Sequence, residues 1–463
     1  MATTLLSRTA TAGSGTISTF SAWVKRSNVG TDQAIFSSSN GSNWFKIWFH
    51  SGDYLRIDSF NGSSWLLLKT TTRLFRDTSG YYNIVVIIDT TDGVAEDRMK
   101  LYINGVRETS FSTAGGSDTN AGSSDDLYLN TVGYTQRVGA NQSGSDYYEG
   151  LMTHVQWVDA TAVAATEFGQ VDATSGIWKI KTACYATPGT NGFCLQMETT
   201  TGSAMGTDSS GEGNNLTEGG SPTQTIDNPS NVLATLNRLT TGKGVIPADW
   251  TISQGENTID FGTTTDWGQG IAATLGASKG KWYWEIEYDN TADWSISGIL
   301  PDYEIWRCAK GSAAGVYGYG NATQTEVAGY NCTRYNLVTT NDTFTFPSYV
   351  TDGKIISYAM DLDNNKLWMG LDGVFEGGGD PVAGTDATWS GTDMPSGTTW
   401  LPYCQAYYSA STNVIMKCNF GNGYFGTTQV SSAGTSSTDD DSIWEYDCPT
   451  GYYGLNTKNI NTY

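Results

Sequence analysis

Residues Gly280–Glu287, GKWYWEIE, form the most informative stretch of this chain. Side chains on a β-strand alternate between two faces. The even-numbered residues from Trp282 to Tyr288 would therefore share one apolar face, and the odd-numbered residues from Tyr283 to Glu287 would share the other. A helix does not separate these side chains in that way. The stretch predicts a half-buried β-strand.

The composition of the whole chain agrees with a strand-rich protein. The chain has 463 residues, of which 55 are glycines. Aromatic residues make up 12% of the whole chain. Many short strands joined by turns fit this mixture, whereas helical bundles and α/β folds do not. The length makes two domains the default, with three as the alternative. We therefore predict an all-β fold of two antiparallel β-sandwiches joined by a Gly/Asn/Ser-rich connector.

The charge of the chain limits its partners. It carries 25 basic and 47 acidic residues, a formal net charge of −22. Binding to phosphates needs a basic surface, so we expect no nucleic-acid partner, and anionic lipid is disfavoured. No run approaches about eighteen consecutive apolar residues, so we expect no membrane insertion. The amino terminus lacks a leader pattern, which indicates either a leader already removed or release by another route such as cell lysis.

Residues 1–160 alternate strand-like runs with polar turns, and Asn104-Gly105 marks a tight hairpin. The order of FSAWVKRS, IVVIIDTTDG, KLYINGVRE and YEGLMTHVQWVD resembles the laminin-G-like, or concanavalin-A-like, lectin domain. This resemblance implies a two-sheet jelly-roll sandwich. It covers most of the segment.

Residues 161–245 read as a connector with one short helix, in ATAVAATEFGQVD, and one strand. Its phrases at Thr190–Leu195, Asp208–Asn215 and Asp227–Asn231 resemble a connector in virion-associated proteins of aquatic tailed phages. In that family the connector leads from a lectin-like module into the next domain. The resemblance implies a place on a virion.

Residues 246–425 resemble the SPRY domain, another two-sheet sandwich. Gly280–Glu285 matches its Gly-Lys-x-Tyr-Trp-Glu strand, and Met360–Asp363 with Leu367–Gly373 matches its later strand pair. Alternation predicts that this pair forms a hairpin with its apolar residues inward and Asn364-Asn365 at the turn. We interpret residues 426–463 as a polar C-terminal tail that contains a solvated acidic loop.

Sugar-binding sites favour exposed tryptophan and tyrosine rings, which cover the C–H faces of pyranoses. Both predicted domains contain such residues near Gly- and Asn-rich turns, and those of the second domain fall where the SPRY resemblance implies partner-binding loops. Core packing is the alternative role of each one. The candidate ligand-binding residues are Trp44, Trp48, Asn61, Trp65, Tyr134, Trp294, Trp306, Tyr317, Tyr319 and Tyr330.

Residues suited to catalysis are few. His50 and His154 are the only histidines, and we interpret both as structural. Glu285 and Glu287 place two acids on one strand face, which keeps a glycan hydrolase as an alternative. No nucleotide-binding or zinc-protease motif occurs. We expect no enzyme activity and no cofactor, and leave calcium open through acidic loops such as Ser124–Asp126.

The chain has seven cysteines and no closely spaced pair of the zinc-binding kind. Local spacing permits three disulfides, with one cysteine left over, and buried free thiols are the alternative. The permitted bridges are Cys184–Cys194, Cys308–Cys332 and Cys404–Cys418, and the remaining residue is Cys448.

These observations favour a non-enzymatic protein on a virion surface or outside the cell. As a phage tail-fibre or decoration adhesin, it would bind host-surface glycans or proteins and gain avidity as a homo-oligomer. The alternative is a structural subunit that polymerises into a filament or tube by adding residues 1–12 to a neighbour's sheet edge.

Overall fold

The structure is a computed structural model. It describes residues 4–113, 118–197, 205–240, 250–262, 270–289, 294–303, 317–321, 331–334, 342–345, 352–390, 394, 396–407, 413–431, 433–434 and 441–463, and only the backbone at 294–296, 317–321, 331–334, 342–345, 389–390 and 406–407. The chain divides into two compact units, Met1–Gln224 and Thr225–Tyr463. No helix within these described ranges is long and apolar enough to cross a lipid bilayer.

The first unit is a sandwich of two antiparallel sheets. Its strands are β1 Leu5–Thr9, β2 Ile17–Arg26, β3 Gln33–Ser39, β4 Trp44–Phe49, β5 Tyr54–Phe60, β6 Trp65–Leu74, β7 Tyr82–Asp89, β8 Met99–Ile103, β9 Val106–Glu108, β10 Thr135–Val138, β11 Gly150–Asp159, β12 Gly169–Val171, β13 Trp178–Ile180, β14 Phe193–Leu195 and β15 Thr217–Gly219. One sheet has the strand order β15-β1-β10-β3-β4-β5-β6, and the other has the order β14-β11-β2-β7-β8-β9. Strands β12 and β13 form a separate hairpin.

The predicted hairpin at Asn104-Gly105 is confirmed. It joins β8 to β9, with Ile103 opposite Val106. Asn104 and Gly105 both have positive φ, 49° and 75°. A two-residue turn of this kind needs φ above zero at both positions, which Asn and Gly adopt at the least cost.

Much of the segment predicted as a connector folds onto the first sandwich. Its strand β14 pairs with β11, and β15 pairs with β1. The predicted helix is only the three-residue 3-10 helix Ala165–Glu167, because Phe168 turns into the core and Gly169 begins β12. The connector motif is also structural, since Asn191 Oδ1 accepts from Thr11 N at 2.9 Å and Asn214 Oδ1 accepts from Arg8 Nη2 at 2.7 Å.

The amino-terminal strand is paired on both sides at Leu6 and Ser7. Leu5–Thr9 lies inside the seven-stranded sheet and pairs with β10 on one side and β15 on the other. The filament hypothesis assumed that this segment lies ahead of the domain's own strands. That assumption is wrong, because the backbone groups of the strand are already hydrogen-bonded within its own unit.

The second unit is a second sandwich. Its larger sheet follows β16-β17-β29-β19-β24-β25-β26, with β27 on β25 and β32 parallel to β19, and its smaller sheet follows β18-β28-β20-β21. Two hairpins, β22-β23 and β30-β31, lie apart from them. The elements are β16 Thr251–Ser253, β17 Thr258–Asp260, β18 Gly270–Ala272, β19 Lys281–Asp289, β20 Trp294–Pro301, β21 Tyr317–Asn321, β22 Asn331–Arg334, β23 Asp342–Thr345, β24 Lys354–Asp361, β25 Lys366–Leu371, β26 Val374–Phe375, β27 Trp389–Ser390, β28 Trp400–Tyr407, β29 Ile415–Asn419, β30 Tyr424–Phe425, β31 Thr428–Gln429, β32 Tyr453–Gly454 and helix α1 Thr457–Thr462, with 3-10 helices at Arg238–Thr240 and Glu376–Gly378.

The inward faces predicted for the second unit are confirmed. The even-numbered residues from Trp282 to Tyr288 lie in one core cluster between the two sheets. The hairpin partners also meet there, because Tyr358 stands opposite Met369 and Met360 opposite Leu367.

The other face of β19 is also buried at Tyr283 and Glu285, so the prediction of a half-buried strand is wrong there. Tyr283 packs in a second cluster with Trp444, Cys448 and Tyr452, and Glu285 is fully buried. These partners come from the segment interpreted as a polar tail. Within this segment, residues 441–463 instead cover the sheet, because a few large apolar side chains are spaced among the polar ones.

The cysteines follow two different patterns. Cys184 and Cys194 form a disulfide. The bridge permitted for Cys404 and Cys418 is absent, since both are free buried thiols with sulfur atoms 3.8 Å apart. Cys448 is a buried thiol as well. The Cys308–Cys332 bridge lies outside the side chains that the structure describes.

Candidate ligand-binding site

The outer face of the seven-stranded sheet carries a concentrated group of aromatic and charged side chains. Strand β4 alternates, so that its odd-numbered residues from Phe45 to Phe49 enter the core and its even-numbered residues face outward. Strand β5 pairs with it in register. We call the outward group the tryptophan cluster, which consists of Trp44, Lys46, Trp48, Arg56, Asp58, Phe60 and Trp65.

Asp58 organises the tryptophan cluster. Trp44 Nε1 donates to its Oδ1 at 3.0 Å, and Trp48 Nε1 donates to its Oδ2 at 2.6 Å. Arg56 Nε lies 3.3 Å from the same Oδ2. Hydrogen bonds to a charged acceptor are stronger than neutral ones, so this carboxylate fixes the orientation of both indoles.

Two cations flank the Trp48 ring. Lys46 Nζ lies 3.7 Å from its centroid, and Arg56 Cζ lies 5.4 Å from it and 5.0 Å from that of Trp65. Both distances from Trp48 are within cation–π range. Burial lowers the pKa of Lys46, while the negative charges of Asp58 and Asp146 oppose that effect.

The accessible aromatic surface of the cluster lies at one end of the sheet. Trp44 stacks on Phe60 with centroids 4.7 Å apart, and Trp65 meets Phe60 at 4.9 Å. The Trp65 side chain is 37% exposed, whereas Trp48 is nearly covered. A flat ring held open beside polar turns is suited to stacking against a sugar.

Three of the candidate residues, Trp44, Trp48 and Trp65, thus meet in one cluster. Asn61 stands in the adjacent turn, but its Oδ1 accepts from the backbone N–H groups of Ser63 and Ser64 and shapes that turn. Tyr134 is buried.

Tyr134 Oη accepts from Asn43 Nδ2 at 3.2 Å, and its ring stacks on Tyr128 at 5.8 Å. It therefore acts as a packing residue under the turn before β4.

The candidates in the second unit are less defined. Trp294 lies on β20, and Tyr317 and Tyr319 lie on β21. These are paired strands and not the loops that the SPRY resemblance implied. Trp306 and Tyr330 lie outside the described residues.

The sequence prediction missed the charged members of the cluster. It considered aromatic residues near turns and left out Lys46, Arg56 and Asp58. The signal was present in the stretch WFKIWF, where alternation places Trp44, Lys46 and Trp48 on one face.

The two acids considered for hydrolysis do not form an open pair. Glu285 has no exposed surface, and its carboxylate accepts from the backbone N–H groups of Glu445 and Tyr446, both at 2.9 Å. It also accepts from Asn419 Nδ2 at 3.1 Å and from Tyr283 Oη at 3.0 Å. Burial raises the pKa of Glu285 to about 7, against the opposing effect of these donors.

The neighbouring acid, Glu287, is engaged by Lys417, whose Nζ donates to it at 2.7 Å. Glu285 therefore fastens the carboxy-terminal segment to β19, and it does not face a cleft where a glycosidic bond would lie between two carboxyl groups.

The histidines and the acidic loop also have local partners. His50 Nδ1 accepts from Gly52 N at 3.0 Å, and His154 is buried in a β-bulge of β11. In the acidic loop, Asp125 accepts from Gly122 N at 2.7 Å and Asp126 from Tyr128 N at 2.8 Å. Among the residues that the structure describes, no three His, Cys, Asp or Glu side chains group closely enough to hold a metal ion.

Comparison with known proteins gives the following similarities. Residues 4–167 match the family model of the concanavalin A-like lectin/glucanases superfamily. The SPRY domain of human HERC1 has 15% identity and a TM-score of 0.27, covering 36% of this chain and 91% of that chain. The TRIM65 PSpry domain has 8% identity and a TM-score of 0.27, covering 40% and 88%.

A native heptameric SAP-like pentraxin from Limulus polyphemus has 18% identity and a TM-score of 0.26, covering 35% of this chain and 73% of that chain. No curated protein matches the sequence. The family match spans strands of both sheets in the first unit. The chain is an all-β protein whose first unit contains a concanavalin A-like domain.

Proposed function

We propose that this protein is a non-enzymatic surface protein, extracellular or carried on a virion, that binds host-surface glycans through the tryptophan cluster. The observation that carries the proposal is the convergence of Trp44, Trp48 and Trp65 on one outer sheet face around Asp58. Side chains that are already oriented lose little conformational freedom on binding. An exposed indole beside fixed polar groups is the usual composition of a sugar subsite.

The virion location rests on the connector resemblance in the sequence. Its residue Asp208 accepts from Cys194 N at 2.9 Å and from Asn214 N at 2.8 Å, which gives the motif a folding role. A motif that closes a lectin-like sandwich would be retained wherever such a module precedes another domain. The assignment to a tail-fibre or decoration protein therefore rests on the sequence resemblance and not on this folding role.

Single shallow sugar sites bind weakly, so the protein would act as a homo-oligomer. Several copies displayed together convert later binding events into intramolecular ones and raise the overall affinity. The partner would be a polysaccharide or a glycosylated protein on the host surface.

The test is a glycan array probed with the full chain, both as the native assembly and as a monomer. We expect signal from the assembly, and a loss of about tenfold or more in Trp65→Ala, the size expected for a central aromatic contact. Tyr303→Ala is the matched control, because Tyr303 is 52% exposed but lies in the second unit. A blank array with the assembled protein would contradict the proposal.

A further inference from the structure

The charge of the tryptophan cluster is opposite to that of the chain. The whole protein has a formal net charge of −22. The cluster has two cations, Lys46 and Arg56, and one carboxylate, Asp58, which leaves one positive charge. Lys46 and Arg56 are each only 7% exposed. Burying cations costs free energy that simple packing would avoid with apolar residues.

In the described part of the chain, the carboxylate of Asp58 forms no ion pair with Lys46. The two residues stand directly opposite each other on β4 and β5, a spacing at which opposite charges usually pair. Instead, the two indole N–H groups and Arg56 occupy both Asp58 oxygens. Asp58 therefore holds the rings, and its negative charge, like those of Asp146 and Asp32, acts on Lys46 through space and not through a hydrogen bond to the ammonium.

The Lys46 ammonium has three N–H donors. Within the described part of the chain, no hydrogen bond or ion pair joins it to another residue, and its close contact is the face of Trp48 at 3.7 Å. An ammonium group held in place among aromatic rings, with its N–H groups unused, can donate to a negatively charged oxygen.

We propose that the tryptophan cluster selects carboxylated sugars, with the sugar ring against Trp65 and Trp44 and its carboxylate on the Lys46 ammonium. Arg56, held between Trp48 and Trp65, adds positive potential on the same side. This inference rests on the proposed function, since it specifies which glycans the same site takes.

The test compares three probes on the full chain by titration calorimetry: tetragalacturonate, its methyl ester and the neutral cellotetraose. The ester keeps the sugar rings and removes the charge. We expect the acid to bind about ten- to a hundredfold more tightly than the ester, the range for one charge-assisted hydrogen bond. Raising salt from about 50 mM to about 500 mM should weaken binding of the acid alone.

The matched variants are Lys46→Met and Lys100→Met. The methionine at position 46 keeps an unbranched stem on Trp48 and should bring the affinity for the acid down to that for the ester. Lys100 lies on β8 in the opposite sheet, where it pairs with Asp92 at 3.4 Å. Lys100→Met removes the same charge from the unit and should change neither the affinity for the acid nor that for the ester.

The possible failures are distinguishable. Equal binding of acid and ester by the wild type, or a preference that survives in Lys46→Met, would overturn the acidic specificity and leave glycan binding standing. Absence of binding for all three probes at millimolar concentration would overturn the acidic specificity, and a blank glycan array with the same protein would overturn glycan binding as well. If Lys46→Met fails to fold by circular dichroism, the wild-type comparison of acid, ester and salt decides the question.

Discussion

Replacing Glu285 by alanine should loosen the carboxy-terminal segment from the second sandwich. The variant removes the acceptor of two buried backbone N–H groups, those of Glu445 and Tyr446. A buried donor without a partner costs about 1–3 kcal/mol. Two such donors reduce the free energy of unfolding by about 2–6 kcal/mol at pH 5, where the carboxyl group is mostly protonated in the folded state.

The destabilisation caused by Glu285→Ala should become smaller as the pH rises. The pKa of Glu285 is raised to about 7 in the folded protein from the ordinary 4.5. Between these two pH values the unfolded chain has released its proton while the folded chain still holds it. Unfolding then releases a proton, so the stability of the wild type falls as pH rises through this window, by about 3 kcal/mol at most. The alanine variant lacks this dependence.

The assay is urea unfolding at pH 5 and pH 8, together with amide hydrogen exchange of residues 441–463. Glu287→Ala is the control, since it lies on the same strand but loses only a partly exposed ion pair with Lys417, worth about 0–1 kcal/mol. Equal destabilisation by the two variants at pH 5, or unchanged exchange protection in the carboxy-terminal segment of Glu285→Ala, would refute the role assigned to this carboxylate.

Three further outcomes are expected. Cys184→Ser with Cys194→Ser should destabilise the first unit by about 2–3 kcal/mol, because their disulfide closes a short loop; calorimetry that shows no change would contradict this. Cys404 and Cys418 should resist iodoacetamide in the native protein, since both are buried and burial raises the pKa of Cys418; rapid native labelling by mass spectrometry would argue against it. Asn191→Ala should cost about 2–3 kcal/mol and expose the connector to protease, because its side chain bonds both N and O of Thr11; wild-type resistance would exclude this role.

The sequence was a good guide wherever the deciding interactions are local. The alternation of Trp282 and Trp284 identified one core face, and Asn104-Gly105 identified its hairpin, because strand period and turn chemistry act over a few residues. The laminin-G-like resemblance was equally informative for the first sandwich, where the family match agrees.

The sequence was a poor guide wherever distant segments meet. Glu285 looked solvent-facing because its covering residues lie 160 positions away, at Glu445 and beyond. The role of Asp58 was hidden for a related reason, since it depends on the register that sets β5 against β4. Polarity read along one strand does not reveal which partner will satisfy a polar group.

The carboxy-terminal cover of β19 has a consequence for synthesis on the ribosome. Tyr453 and Gly454 pair with Trp282 and Tyr283, so this side of the sheet stays open while about 170 further residues are translated. Until then Tyr283 and Trp368 lack their final neighbours, and the nascent sandwich exposes an aromatic surface that favours aggregation. A recombinant fragment that stops at residue 425 would keep that surface permanently, so fragments should run through Leu455, which is fully buried.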